Sequence, residues 1–150
     1  MSESPNEQIF RRVIEEGFNR GDLAVFEELV AADCVEHQAH APDVPTVGPA
    51  APMAIAETLR RAFPDLKLTI EDMTSTGDKV WARIRSTGTH RGPFLGNAAT
   101  GRPMAIDVID IARFEDGKMV DHWGVADRLS VLFQLGLGPQ RRQPTEVPAS

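Results

Sequence analysis

The hydrophobic pattern of this chain changes period at Pro64-Asp65, and that change limits the fold more than any other feature. Upstream, apolar residues recur at helical spacing. Downstream, they alternate with polar ones every second residue. Ser4-Pro-Asn-Glu7 reads as a capping box with proline at the first helical position. Ile9, Phe10, Val13, Ile14, Gly17 and Phe18 then form one buried helical face. Asn19-Arg-Gly-Asp22 stops that helix and starts a second, with Leu23, Phe26, Leu29 and Val30 as its inner stripe. A loop over residues 37–52, rich in Pro, Ala and His, leads to a third helix that turns Ile55, Leu59, Ala62 and Phe63 inward. Pro64 ends it.

Beyond the switch, Leu66, Leu68 and Ile70 alternate with Lys67, Thr69 and Glu71. Thr76-Gly-Asp78 is a hairpin turn into a strand over 79–90. A loop over 91–103 precedes a strand over 105–114, the Glu115-Asp-Gly-Lys118 turn and a last strand over 119–125. A short helix follows Asp127, with Leu129, Leu132 and Phe133 on one side. Helices first, then hairpin-linked strands, is the α+β pattern: an antiparallel sheet with helices on one face. A strongly curved sheet covered in this way leaves a cone-shaped, mostly apolar cavity. Residues 1–137 read as one domain, and the proline-rich polar stretch 138–150 as a disordered tail.

Charge and composition exclude several functions. The net charge is −6 with Lys and Arg scattered, so no nucleic-acid or anionic-membrane partner is expected. The N-terminal residues have neither a basic nor an apolar leader pattern, and no apolar run reaches membrane-spanning length. The single cysteine, Cys34, lies among apolar neighbours and reads as a small buried hydrophobe in a cytoplasmic protein. His37-x-x-His40 lacks a helical frame and a third ligand, so no metal site is expected.

Asp127 sits at the end of a strand, beside an aromatic residue and an apolar helix. Two roles are open to it: a carboxylic acid whose pKa is raised by desolvation, or the N-cap of the last helix. Trp123 shares its strand face, whereas His122 alternates away and reads as structural. His90 is in register with Val80, Ala82 and Ile84, so it is either a substrate-contacting donor or a satisfied core histidine. Asp107 and Asp110 lie on opposite faces of one apolar strand, so at least one must point inward or toward a partner subunit.

Asn19-Arg-Gly-Asp22, Asp33-Cys-Val-Glu-His37, Phe63-Pro-Asp65, Gly88-Thr-His-Arg-Gly92, Phe94-Leu-Gly96, Thr100-Gly-Arg-Pro103, Asp110-Ile-Ala-Arg-Phe114, Asp116-Gly-Lys118, His122-Trp123 and Asp127 occur in one order. Together they resemble the SnoaL-like polyketide cyclase (ester cyclase) family of the nuclear transport factor 2-like superfamily, over about residues 8–137. The resemblance implies an α+β barrel or cone with an internal cavity, and a homodimer built through the sheet. It also implies intramolecular aldol condensation on a polyketide ester, without metal or organic cofactor. By the same resemblance Asp127 is the catalytic acid/base and His37 a substrate-polarising histidine. His90, Trp123, Asp110 and Phe94 are the expected contacts to a small hydrophobic carbonyl compound. The chain has no tyrosine, so the tyrosine-based sites of the related ketosteroid isomerases and limonene-type epoxide hydrolases cannot be built. A hydrolase or isomerase using the same pocket, or a non-catalytic ligand-binding dimer, are the alternative expectations.

Overall fold

Ser4 starts the first helix as expected: its Oγ accepts from the Glu7 amide at 3.2 Å, at the head of α1 (Pro5–Arg12). The Glu7 carboxylate does not close the box; it accepts instead from Ser75 Oγ in the sheet at 2.6 Å. This computed structural model describes residues 2–139. The first helix runs on as a wider π-helical segment, Val13–Asn19, in which Gly17 is packed against the Phe26 ring. A Cβ on Gly17 would lie 2.5 Å from Phe26 Cζ, so no side chain fits there.

The second helix, α2 (Ala24–Leu29), is shorter than the apolar spacing predicts. Val30 leaves the helix with φ −109° and ψ 128°, and β1 (Val30–Glu36) replaces the expected helical continuation. Two flanking segments stabilise the extended form. On one side β1 pairs in parallel with β5 (Lys118–Ala126). On the other, the Glu36 amide donates to Thr46 O at 2.9 Å and the Gly48 amide to Cys34 O at 2.8 Å. These bonds tie the loop after β1 back over the molecule.

After α3 (Ala50–Ala62) the chain forms β2 (Lys67–Thr76), β3 (Lys79–Thr89), β4 (Pro103–Glu115) and β5, then α4 (Arg128–Gln134). The sheet order is β1-β5-β4-β3-β2, antiparallel except for β1. The fold is α+β, with an open five-stranded sheet whose edges are β1 and β2. One core cluster packs α1, the π-helical segment and α2 on the sheet, and a second joins the end of α3 to α4.

Two details reset which side chains face inward. Val120 is an extra residue in β5, between the pairs Phe114–Met119 and Arg113–Asp121. A bulge of one residue reverses the parity of a strand. Met119 therefore shares the inner face with His122, Gly124 and Ala126, while Trp123 and Val125 face outward. In α4 Val131 is buried, as is Leu135 just after it, whereas Leu129 and Phe133 are exposed. Gln134 fixes this rotation by bonding both the amide and the carbonyl of Ala105, at 2.7 and 2.9 Å. The tail expected from residue 138 lies outside the described residues from residue 140 onward.

Candidate active site

Between the helical layer and the inner face of the sheet lies a cavity of about 240 Å³. Phe10, Ile14, Leu59, Phe63 and Ile106 make most of its wall apolar. The polar groups gather at one end, and register explains their grouping. Across the sheet, Ala82, Asp110 and Gly124 form one row, and Val80, Ala112, His122 and Glu36 the next. The small residues on either side of Asp110 leave room for a carboxylate. Gly124 keeps that spacing: a Cβ there would lie 2.6 Å from Asp110 Oδ1 and 2.4 Å from Gln38 Oε1, and those side chains would have to shift.

His122 joins the rows. Its Nδ1 contacts Glu36 Oε1 at 2.8 Å and Oε2 at 2.9 Å, and its Nε2 forms an ion pair with Asp110 Oδ1 at 3.1 Å. Burial alone would push the imidazole pKa down, but Asp110 and Glu36 together overcome it and raise it to about 10. At neutral pH His122 is thus an imidazolium between two carboxylates. Glu36 is fully engaged, since Oε1 also accepts from the Gln38 amide at 2.9 Å. Asp110 meets His122 through Oδ1, and its side chain lines the cavity. Asp110 is therefore the carboxylate placed to take a ligand proton.

The end of β1 and the segment after it supply the remaining polar wall. Glu36, Gln38 and His40 are spaced two apart and all line the cavity. Arg128, the first residue of α4, reaches the same end and donates to Ala39 O. Cys34 also lines the wall, but burial first, then nearby acids, push its thiol up to about 12, so it is inert.

The structure distributes the sequence candidates differently from their grouping in the chain. Asp110 and Phe94 line the cavity. Asp127 does not: it is exposed and caps α4, its Oδ1 accepting from the Ser130 amide at 3.1 Å. His37 points to the opposite face of the sheet, where it is stacked on Trp123 with ring centroids 4.7 Å apart and bonds Asp121 at 2.8 Å. Trp123 is outside with it, because of the bulge. Burial works against ionisation of Asp121, but the bonds from His37 and Arg113 hold its pKa below the usual range. His90 is fully buried one layer behind the cavity, packed on Phe63 and Phe94, with Nδ1 accepting from the Thr100 amide at 3.1 Å. His37 and His40 diverge to opposite faces, and among the described residues no group of His, Cys, Asp and Glu is arranged to hold a metal ion.

Glu36 and Gln38 are residues that sequence reading passed over, and His122 is one that it turned away from the site as structural. The alternation Glu36-x-Gln38-x-His40 was the available signal, hidden by assigning the preceding residues to a helix. His122 had none, because its orientation depends on the bulge.

No helix among the described residues is long and apolar enough to cross a membrane. The model of the family described as SnoaL-like polyketide cyclase matches residues 8–135. Aklanonic acid methyl ester cyclase DauD from Streptomyces sp. (strain C5) is 31% identical over 140 residues, covering 89% of this chain and 83% of that protein. Aklanonic acid methyl ester cyclase DnrD from Streptomyces peucetius is 30% identical over 132 residues, 85% of this chain and 88% of its own. Among solved structures, TsrD from Streptomyces laurentii superposes with a TM-score of 0.80 at 28% identity, covering 91% of this chain and 98% of that one. With a match across nearly the whole described fold and two relatives at this level of identity, the chain belongs to the SnoaL-like polyketide cyclase family.

Proposed function

We propose that this protein is a cofactor-independent cyclase that closes a ring by intramolecular aldol condensation on an apolar polyketide-type ester. The observation that carries the reading is the His122 imidazolium held between Glu36 and Asp110 at the polar end of an otherwise apolar cavity. Asp110 acts as the base. Its carboxylate takes a proton from the carbon next to a ligand carbonyl, leaving an enolate and a protonated Asp110. The enolate carbon attacks a second carbonyl of the same molecule, forming the new carbon–carbon bond and an alkoxide. That alkoxide recovers the proton from Asp110, which restores the carboxylate. His122, an imidazolium beside Asp110, offsets the negative charge that moves through the site. Asp127, as a cap on the rim, takes no part in this scheme.

Aklanonic acid methyl ester, named for both curated relatives, is the first compound to test. Wild-type protein is expected to convert it to a ring-closed isomer, followed by chromatography and NMR, with solvent deuterium entering the position next to the carbonyl. Asp110→Asn is expected to slow conversion by about 10²-fold or more with the fold retained. Full activity in that variant refutes the assignment of the base.

The outer face of the sheet supports a homodimer. Trp81, Ile111 and Trp123 are paired across β3, β4 and β5, next to exposed Ile109 and Val125. A second copy covering this row removes apolar surface that a monomer leaves in water.

A further inference from the structure

We propose that His40 donates its Nε2–H to a carbonyl oxygen of the ligand, and that Arg128 is the positioning residue that fixes the tautomer required. This rests on the reading of the cavity as a site for an apolar carbonyl compound. Arg128 Nη2 lies 3.4 Å from His40 Nδ1. A guanidinium can only donate, so Nδ1 must accept, and the ring proton resides on Nε2. That Nε2 has no protein partner and is closed over within the cavity wall that His40 lines, so a ligand oxygen reaches it when that wall shifts. A buried donor left unsatisfied is destabilising, and a ligand acceptor would relieve it. The same Arg128 group bonds the Ala39 carbonyl, so the segment carrying His40 is held in place by the contact that sets its tautomer.

The neutral state of His40 matters for what it recognises. Burial lowers its pKa, and Arg128 and His122 add to this against the opposing pull of Glu36 and Asp110. A single neutral N–H suits a ketone or ester oxygen. A carboxylate would face Glu36 and Asp110 in the same end of the cavity, where the one imidazolium is already shared between them. His40 and Asp110 thus divide the work on a carbonyl ligand: one holds the oxygen, the other removes the neighbouring proton.

The test uses the full chain and three probes of one shape: 2-acetylnaphthalene, 2-isopropenylnaphthalene, in which a methylene replaces the oxygen, and 2-naphthoate. Binding is measured by fluorescence titration, and the carbonyl stretch of the bound ketone by infrared difference spectroscopy. Wild-type protein is expected to bind the ketone about tenfold more tightly than the alkene, and to bind the carboxylate more weakly than the ketone. In His40→Phe the ketone should fall to the affinity of the alkene, with its stretch shifted to higher frequency and alkene binding kept as the control for folding. His40→Gln, whose amide can donate, should recover part of the preference. Arg128→Met should reduce the preference and move the ¹⁵N signals of His40 toward a tautomer mixture. A ketone preference unchanged in His40→Phe overturns the proposal, as does a preference absent in wild type. If the ester is still cyclised while the preference is absent, only the role of His40 falls. Failure of every naphthalene to bind wild type removes the cavity reading along with it.

Discussion

Replacing His122 by glutamine tests the site through the stability of the whole fold. The imidazole keeps its proton up to about pH 10 in the folded chain against an ordinary 6.5, a gap corresponding to about 5 kcal/mol. Its side chain is 17% exposed, through the cavity, so solvent screening should leave roughly 3 kcal/mol expressed. Because the folded pKa is raised, this contribution is complete below pH 6.5 and is lost as pH rises toward 10. Urea unfolding of wild type and His122→Gln should be run every half unit from pH 6 to 10.5. At pH 6.5 the variant should be less stable by about 3 kcal/mol, since Glu36 and Asp110 then face each other without a cation. By pH 10.5 the two curves should approach. A constant difference across this range would refute the clamp, because a purely packing role for His122 has no reason to titrate. The ¹⁵N signals of His122 provide a direct check: both ring nitrogens should remain protonated at pH 8.

Three further outcomes follow from the geometry. Gly124→Ala puts a methyl group within 2.6 Å of Asp110 Oδ1, so conversion of the ester should drop at least tenfold while chemical denaturation shows a loss of about 1–3 kcal/mol. Asp127→Ala removes the α4 cap and should cost about 1 kcal/mol in urea unfolding, with the rate of ring closure unchanged; a collapse in rate would return the catalytic role to Asp127. Ile109→Arg adds charge to the exposed outer face of the sheet, and sedimentation should show a shift from dimer to monomer with ligand binding kept.

Much of the architecture was legible because it depends on local pattern. The helical stripe from Ile9 to Phe18, the Ser4 cap, the turns at Gly77 and Gly117 and the alternation in β3 each declare themselves over a few residues. β1 did not, because Val30–Glu36 is extended only through its partners, β5 and residues 46–48. Asp110 was recognisable as a carboxylate that needed a partner, but nothing near it in the chain identified that partner as His122.

By itself the sequence determined that helices precede strands, that an apolar core separates them, and that an acid stands at the head of the last helix. The order of residues also sufficed to indicate the family. Which acid faces the cavity was decided only in three dimensions. One extra residue at Val120 reverses the parity of β5, turning His122 inward and Trp123 outward. A strand has only two faces, so a single inserted residue exchanges them, and periodicity counted along the chain cannot show where pairing slips.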